Sequence, residues 1–187
     1  MNEEKTKKVF KAFKWLSAVS AIVCAAMFVL AGVVFVPMIF LKENLTVEAG
    51  GLLGFFIDVL QEGETPVTSR DLWLLIFPRL AAVLLMFCLS AKANIFFKRG
   101  EKEGKLFFPG SKQIAVSGAT TSFLLAVIPF VLSNTAKVTV TSPELFSIVQ
   151  TDRTGWLFLA AGLLAFALVS PNMKKDEKNS EPTEENV

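Results

Sequence analysis

The chain has 187 residues, a net charge of +2, a mean hydropathy of +0.52 and 52% hydrophobic residues. That length fits one domain, and the composition is too apolar for an ordinary soluble one. Histidine and tyrosine are absent while phenylalanine occurs 18 times. The missing histidine removes the commonest general base and metal ligand, and the small net charge points to no nucleic-acid partner.

The first 14 residues form a basic segment carrying Lys5, Lys7, Lys8, Lys11 and Lys14. An apolar run over 15–41 follows. It is longer than the core of a signal peptide, and Val23 is large where a lipoprotein-type cleavage context wants a small residue, so it reads as an uncleaved membrane helix. Three further spans are expected over 72–91, 113–136 and 155–170, against the requirement of about 20 apolar residues for a crossing. The fourth is short and fits by extending slightly or by thinning the bilayer. The expected fold is therefore all-α: a four-transmembrane-helix bundle over 15–171, with a charged, disordered tail over 172–187.

Orientation follows from the connections. Lys42–Asp71 holds only Lys42 and Arg70 against six acids, and the connection before span four holds only Lys137 and Arg153. The segment between spans two and three holds Lys92, Lys98, Arg99, Lys102, Lys105 and Lys112, and the tail restarts with Lys174, Lys175 and Lys178. Cation-rich and cation-poor segments alternate, which predicts N-in and C-in.

In the first outer loop, "LLGFFIDVLQEG" places Leu52, Leu53, Phe56, Val59 and Leu60 on one helical face and Gly54, Asp58, Gln61 and Glu62 on the other. This amphipathic period predicts a short helix, lying on the membrane or capping the bundle. In the third loop "KVTVTS" alternates like a strand, and "LTVE" near Asn44 is its candidate partner. Asn44-Leu45-Thr46 matches a glycosylation sequon, which matters only in a eukaryotic secretory route.

In the basic connection, span two continues through "KANIFFKR" and stops near Gly100, with Ser111 as the N-cap of span three. Lys98, Arg99, Lys102 and Lys105 are candidate contacts for anionic lipid headgroups; the plainer reading is that they serve only the positive-inside rule. Small residues offer close helix approach: Ser17, Ala21 and Ala25 in span one; Ala115, Ala119, Ser122 and Ala126 in span three; Ala161 and Ala165 in span four. Ser117, Thr120 and Thr121 can bond back to their own helix. Pro78 and Pro129 each remove a backbone hydrogen bond and are expected to kink their helices.

Arg79 is the ionisable residue well inside an expected span. Counted from Trp73, it lies roughly 9 Å below the outer boundary, above the midplane at about 15 Å. Two readings stand. Its side chain points toward outer water and can snorkel there. Alternatively it is buried and functional, pairing with Asp58, bonding carbonyls freed by Pro78, or meeting an acid on a partner protein. No other span carries an acid, so a proton relay lacks its second half.

Chemistry-bearing motifs are missing. There is no Walker-type loop, no G-x-S-x-G elbow and no pair of membrane-embedded aspartates. Cys24 and Cys88 lie in apolar runs without metal or disulfide spacing. No enzyme activity, cofactor or metal is expected.

"NIFFKRGEKEGKLFFPGSKQIAVSG" resembles the hairpin of a bacterial family of small four-span inner-membrane proteins known as a domain of unknown function. Gly104, Phe107 or Phe108, Lys112 and Gly118 fit its outline. The "EKE" insertion and the C-terminal tail depart from it. The resemblance implies a prokaryotic inner-membrane protein and supplies no ligand. Together these features favour a small accessory protein acting through a membrane partner. The runner-up is an oligomeric channel or small-solute transporter with Arg79 in an outer vestibule.

Overall fold

A computed structural model describes residues 3–40, 45–48, 57–59, 64–139, 145–147 and 153–170. Among the described residues four helices carry the body of the fold: α1 (Glu3–Phe40), α2 (Ser69–Glu103), α3 (Ser111–Thr139) and α4 (Arg153–Val169). The described residues of the connections form four short strands: β1 (Leu45–Glu48), β2 (Ile57–Val59), β3 (Glu64–Val67) and β4 (Leu145–Ser147). Three helical segments, Glu4–Val33, Arg70–Glu103 and Ser111–Thr139, are long and apolar enough to cross a membrane. The 17 residues of α4 are apolar but shorter, about 26 Å against a hydrocarbon core of about 30 Å.

Each helix packs chiefly on its neighbours in sequence, α1 on α2, α2 on α3 and α3 on α4. The polar contacts give the directions. Along α1, Lys14, Ser17 and Ser20 meet Glu101, Asn94 and Ser90 of α2 in reverse order. Ser111 at the start of α3 bonds Ser170 just past the end of α4 at 3.0 Å, while Phe130 late in α3 lies under Arg153 at the start of α4. Neighbouring helices are therefore antiparallel, as short connections require.

The α1 seam runs through Phe10, Ser17, Cys24 and Ala31, all buried and seven residues apart. A seven-residue repeat keeps one stripe facing its neighbour in left-handed packing. Of the small residues expected there, Ser17 is buried, Ala21 half-buried and Ala25 exposed. On α3 the stripe Ala115, Ala119, Ser122 and Ala126 is buried as its spacing predicts. On α4 the buried alanines are Ala160 and Ala167, and the expected Ala161 and Ala165 are exposed. One helical step, about 100°, separates the two faces, and both are apolar enough for lipid.

Helix ends are set by caps. Thr68 accepts from the Asp71 N–H at 3.2 Å through its hydroxyl and from the Leu72 N–H at 3.0 Å through its carbonyl. Asp71 stands in the first turn of α2, where the helix dipole favours a carboxylate. The helix runs past Gly100 to Gly104, whose φ of 64° and N–H bond to the Gly100 carbonyl form a left-handed C-cap. Ser111 is the first residue of α3 rather than its N-cap; its hydroxyl is spent on Ser170. Pro78 and Pro129 lie buried inside α2 and α3, which run through them.

The connections correct two expectations. "LTVE" is a strand, but β1 pairs antiparallel with β3, Leu45 opposite Val67 and Glu48 opposite Glu64. Its expected partner begins inside a helix: Lys137–Thr139 belong to α3, with Thr135 bonding back to Val131 and Thr139 back to Thr135. The predicted amphipathic helix is overturned at Ile57–Val59, which form β2 and pair with β4, Asp58 opposite Phe146. The pairing satisfies backbone groups with a strand from the other connection, a non-local partner that no local helical period reveals. The rest of that stretch, the Asn44 sequon and the tail over 172–187 lie outside the described residues. The helical class thus holds for the body, with strands confined to the connections. Because the helices alternate in direction, both ladders stand at the end opposite the α2–α3 turn.

Candidate functional site

Phenylalanines gather where the α2–α3 turn meets the start of α1 and the end of α4. Phe13 stacks on Phe97 with ring centroids 5.2 Å apart, Phe97 touches Phe96 edge-on at 5.6 Å, and Phe96 reaches Phe108 and Phe166 at 5.2 and 5.7 Å. Phe107 stacks on Phe166 at 5.3 Å. Rings at these separations attract beyond their area burial. The chain of rings joins α1, α2, the turn and α4, and it closes the row of helices at this end.

Behind the rings lies a cleft of about 260 Å³ between α2, α3 and α4. Leu89, Phe96, Leu106, Gly118, Leu163 and Phe166 form its apolar walls, and Lys92 is its one charged residue. Gly118 lets the helices approach: a Cβ there would stand 3.3 Å from Leu163 Cδ1. The half-buried Lys92 ammonium donates to the Ser117 carbonyl at 3.0 Å and to the Thr121 hydroxyl. Thr121 in turn donates to the Ser117 carbonyl at 2.9 Å, as its position on the helix predicts.

Lys92 corrects the sequence reading, which counted it among the cations of the basic connection and made Arg79 the one cation well inside a span. Because α2 continues to Glu103, Lys92 stands six residues, about 9 Å, inside the level of Lys98. On α3 its partners Ser117 and Thr121 are likewise five and nine residues inside Lys112. The signal was present: Ala93, Asn94, Ile95, Phe96 and Phe97 separate Lys92 from the next cation.

A second polar seam joins α1 and α2. Lys14 Nζ lies 2.6 Å from Glu101 Oε2, Asn94 Nδ2 donates to the Lys14 carbonyl at 2.9 Å, and the Ser20 and Ser90 hydroxyls share a bond at 2.9 Å. In an apolar surround such side-chain bonds hold helices together.

The expected site residues fall in two places. Arg79 is half-buried on α2, next to Pro78 and toward the end that carries the strands. Asp58 lies in β2 at that same end, but its side chain is outside the described residues, and so is the Arg79–Asp58 pairing. Lys98, Arg99 and Lys102 occupy the last turns of α2 and Lys105 the turn, all exposed. The structure gathers them beside Lys5, Lys8 and Lys11 of α1, themselves exposed, and apart from Arg79. Among the described residues no three His, Cys, Asp or Glu side chains stand together as a metal site.

Three long apolar helices, with a deep lysine and a polar seam packed between them, define a membrane-embedded helical protein. The chain matches no protein-family model, no curated protein and no solved structure.

Proposed function

We propose that this is a four-span membrane protein, N-in and C-in, serving as a small accessory protein that acts through a partner in the same membrane. Its topology is supported by the charges. The lysine-rich start of α1, the basic α2–α3 turn and the end of α4 stand together, and the acid-rich connections stand at the other end. The resemblance of the hairpin to a bacterial four-span family favours a prokaryotic inner membrane. Lys98, Arg99, Lys102 and Lys105 then face anionic headgroups of the inner leaflet.

One observation carries the accessory role. Opposite its seam with α2, α1 exposes Ile22, Ala25, Val29, Gly32 and Val33, and a Cβ on Gly32 would meet nothing within 4 Å. In lipid, small residues between branched ones let a second helix approach closely. Arg79, half-buried on α2, is a second position at which the reading is tested. The test is recovery of the protein in native nanodiscs with mass spectrometry of what accompanies it. A stoichiometric second protein, released by Gly32→Phe and by Arg79→Ala, is the expected result. A homo-oligomer without a second protein moves the reading to a channel or transporter, and liposome flux sensitive to Arg79→Ala then decides it.

A further inference from the structure

We infer that the groove between the start of α1 and the α2–α3 turn holds one anionic phospholipid of the inner leaflet. Its phosphate lies on Lys5 and Lys105 at the mouth, and an acyl chain lies against Val9, Phe10, Leu106 and Phe107. The inference rests on the N-in orientation proposed above and turns a general attraction for anionic headgroups into one defined site.

The groove comes from the packing of α1 on the turn. Phe10 is buried against Gly100. The left-handed cap at Gly104 then turns the chain back. Leu106 and Phe107 pass beside Thr6, Val9 and Phe10 and leave a groove of about 470 Å³, open along one side. That volume lies within the range of roughly 300–1,000 Å³ usual for ligand sites. The walls are apolar, and Lys105 is the charged residue among those that line it.

Two observations favour a lipid over a water-borne partner. The first is continuity with the bilayer. Val9 lines the groove, and Phe13 and Leu16 follow it at helical spacing on the same face of α1. The three are 53%, 48% and 65% exposed. Apolar groups this exposed, leading from the groove into the span, are covered by acyl chains.

The second observation is charge. Lys105 and Lys5 are exposed, and Lys5 stands four residues before Val9, on the same helical face. Of the acids described at this end, Glu4 is paired with Lys8 at 2.9 Å and Glu101 with Lys14 at 2.6 Å. That leaves Glu103, among the described acids, against the exposed Lys5, Lys11, Lys98, Arg99, Lys102 and Lys105. Exposed cations beside exposed apolar side chains are the pattern of a headgroup boundary. The phosphate therefore stays at the mouth in the headgroup layer, and only hydrocarbon enters the apolar groove.

The test uses the full-length protein in nanodiscs of mixed phosphatidylglycerol and phosphatidylcholine, with native mass spectrometry of the lipid that stays on the protein. Both leaflets have the same composition, so the result does not depend on orientation, which cysteine labelling of the two ends tests separately. Wild type retains one phosphatidylglycerol. Lys5→Gln with Lys105→Gln retains it roughly thirtyfold less, the factor for two lysines at an anionic surface. Lys11→Gln with Arg99→Gln removes the same charge elsewhere and keeps the wild-type lipid. Lys11 lies about 200° round the helix from Val9, and Arg99 is turned toward Gly110 at the far end of the turn. Val9→Trp, at an exposed position, fills the groove without changing the charge and loses the lipid. Equal loss in the two double variants overturns the proposal, because the attraction is then diffuse. So does wild type retaining no lipid, or phosphatidylcholine as readily as phosphatidylglycerol. Unchanged retention in Val9→Trp also overturns it, as does displacement of the lipid by soluble glycerol phosphate, which carries the phosphate without a chain.

Discussion

Lys14 on α1 and Glu101 on α2 meet at 2.6 Å although 87 residues separate them in the chain. Each side chain keeps 27% of its exposure, so the pair is partly screened by solvent. Its coupling in a double-mutant cycle with Lys14→Ala and Glu101→Ala is expected to be about 1 kcal/mol or less. Asn94, which bonds the Lys14 carbonyl, adds a second tie whose loss in Asn94→Ala costs about 1 kcal/mol. Reversible unfolding in mixed micelles measures both, and a cycle that closes to zero means the ion pair contributes nothing.

Ser20 and Ser90 set the register of α1 against α2, with their hydroxyls 2.9 Å apart. In a chain carrying Cys24→Ala and Cys88→Ala, the pair Ser20→Cys with Ser90→Cys is expected to cross-link rapidly under mild oxidation. Ser20→Cys with Leu89→Cys is the control and should stay reduced, because Leu89 lines the cleft on the other side of α2. Cross-linking of the control at the same rate would place α1 in a different register.

A side chain at Gly100 has no room. Its Cβ would stand 3.1 Å from the Phe10 ring, which is buried. Gly100→Leu is expected to lower stability by about 1 to 3 kcal/mol through overpacking, and Phe10→Ala in the same chain should recover part of that loss. Thermal unfolding of the two variants decides it; no recovery in the double variant removes Phe10 as the cause.

Ser111 and Ser170 form a buried pair at 3.0 Å that ties the start of α3 to the end of α4. Ser170→Ala leaves the Ser111 hydroxyl buried without that partner and is expected to cost about 1 to 3 kcal/mol. Replacing both serines by alanine should cost less than the single change, since no orphan remains. A double variant weaker than the single one would contradict this account.

Membrane topology has its own test. With cysteine at Lys102 and at Glu64 in separate cysteine-free chains, an impermeant maleimide should label Glu64→Cys in intact cells and Lys102→Cys only after permeabilisation. The reverse pattern sinks the N-in orientation.

Much of this protein is legible in its sequence because long apolar runs and cation spacing respond to the solvent, lipid or water, and not to the fold. Four helices, their approximate centres, the buried stripe Ala115–Ala126 of α3 and the back-bonding of Thr120 and Thr121 all follow from local composition. Tertiary structure decided what depends on neighbours. Lys92 reads as one more cation of the basic connection until its ammonium is seen to bond the Ser117 carbonyl and the Thr121 hydroxyl of α3. Ile57–Val59 reads as half of an amphipathic helix until a strand from the other connection takes its backbone bonds. Which alanines of α1 and α4 are buried was not readable, because a lipid-facing position and a packed position are both apolar. The cleft exists only because Gly118 and the ring chain around Phe96 hold three helices at fixed separations, and that spacing is a property of their packing together.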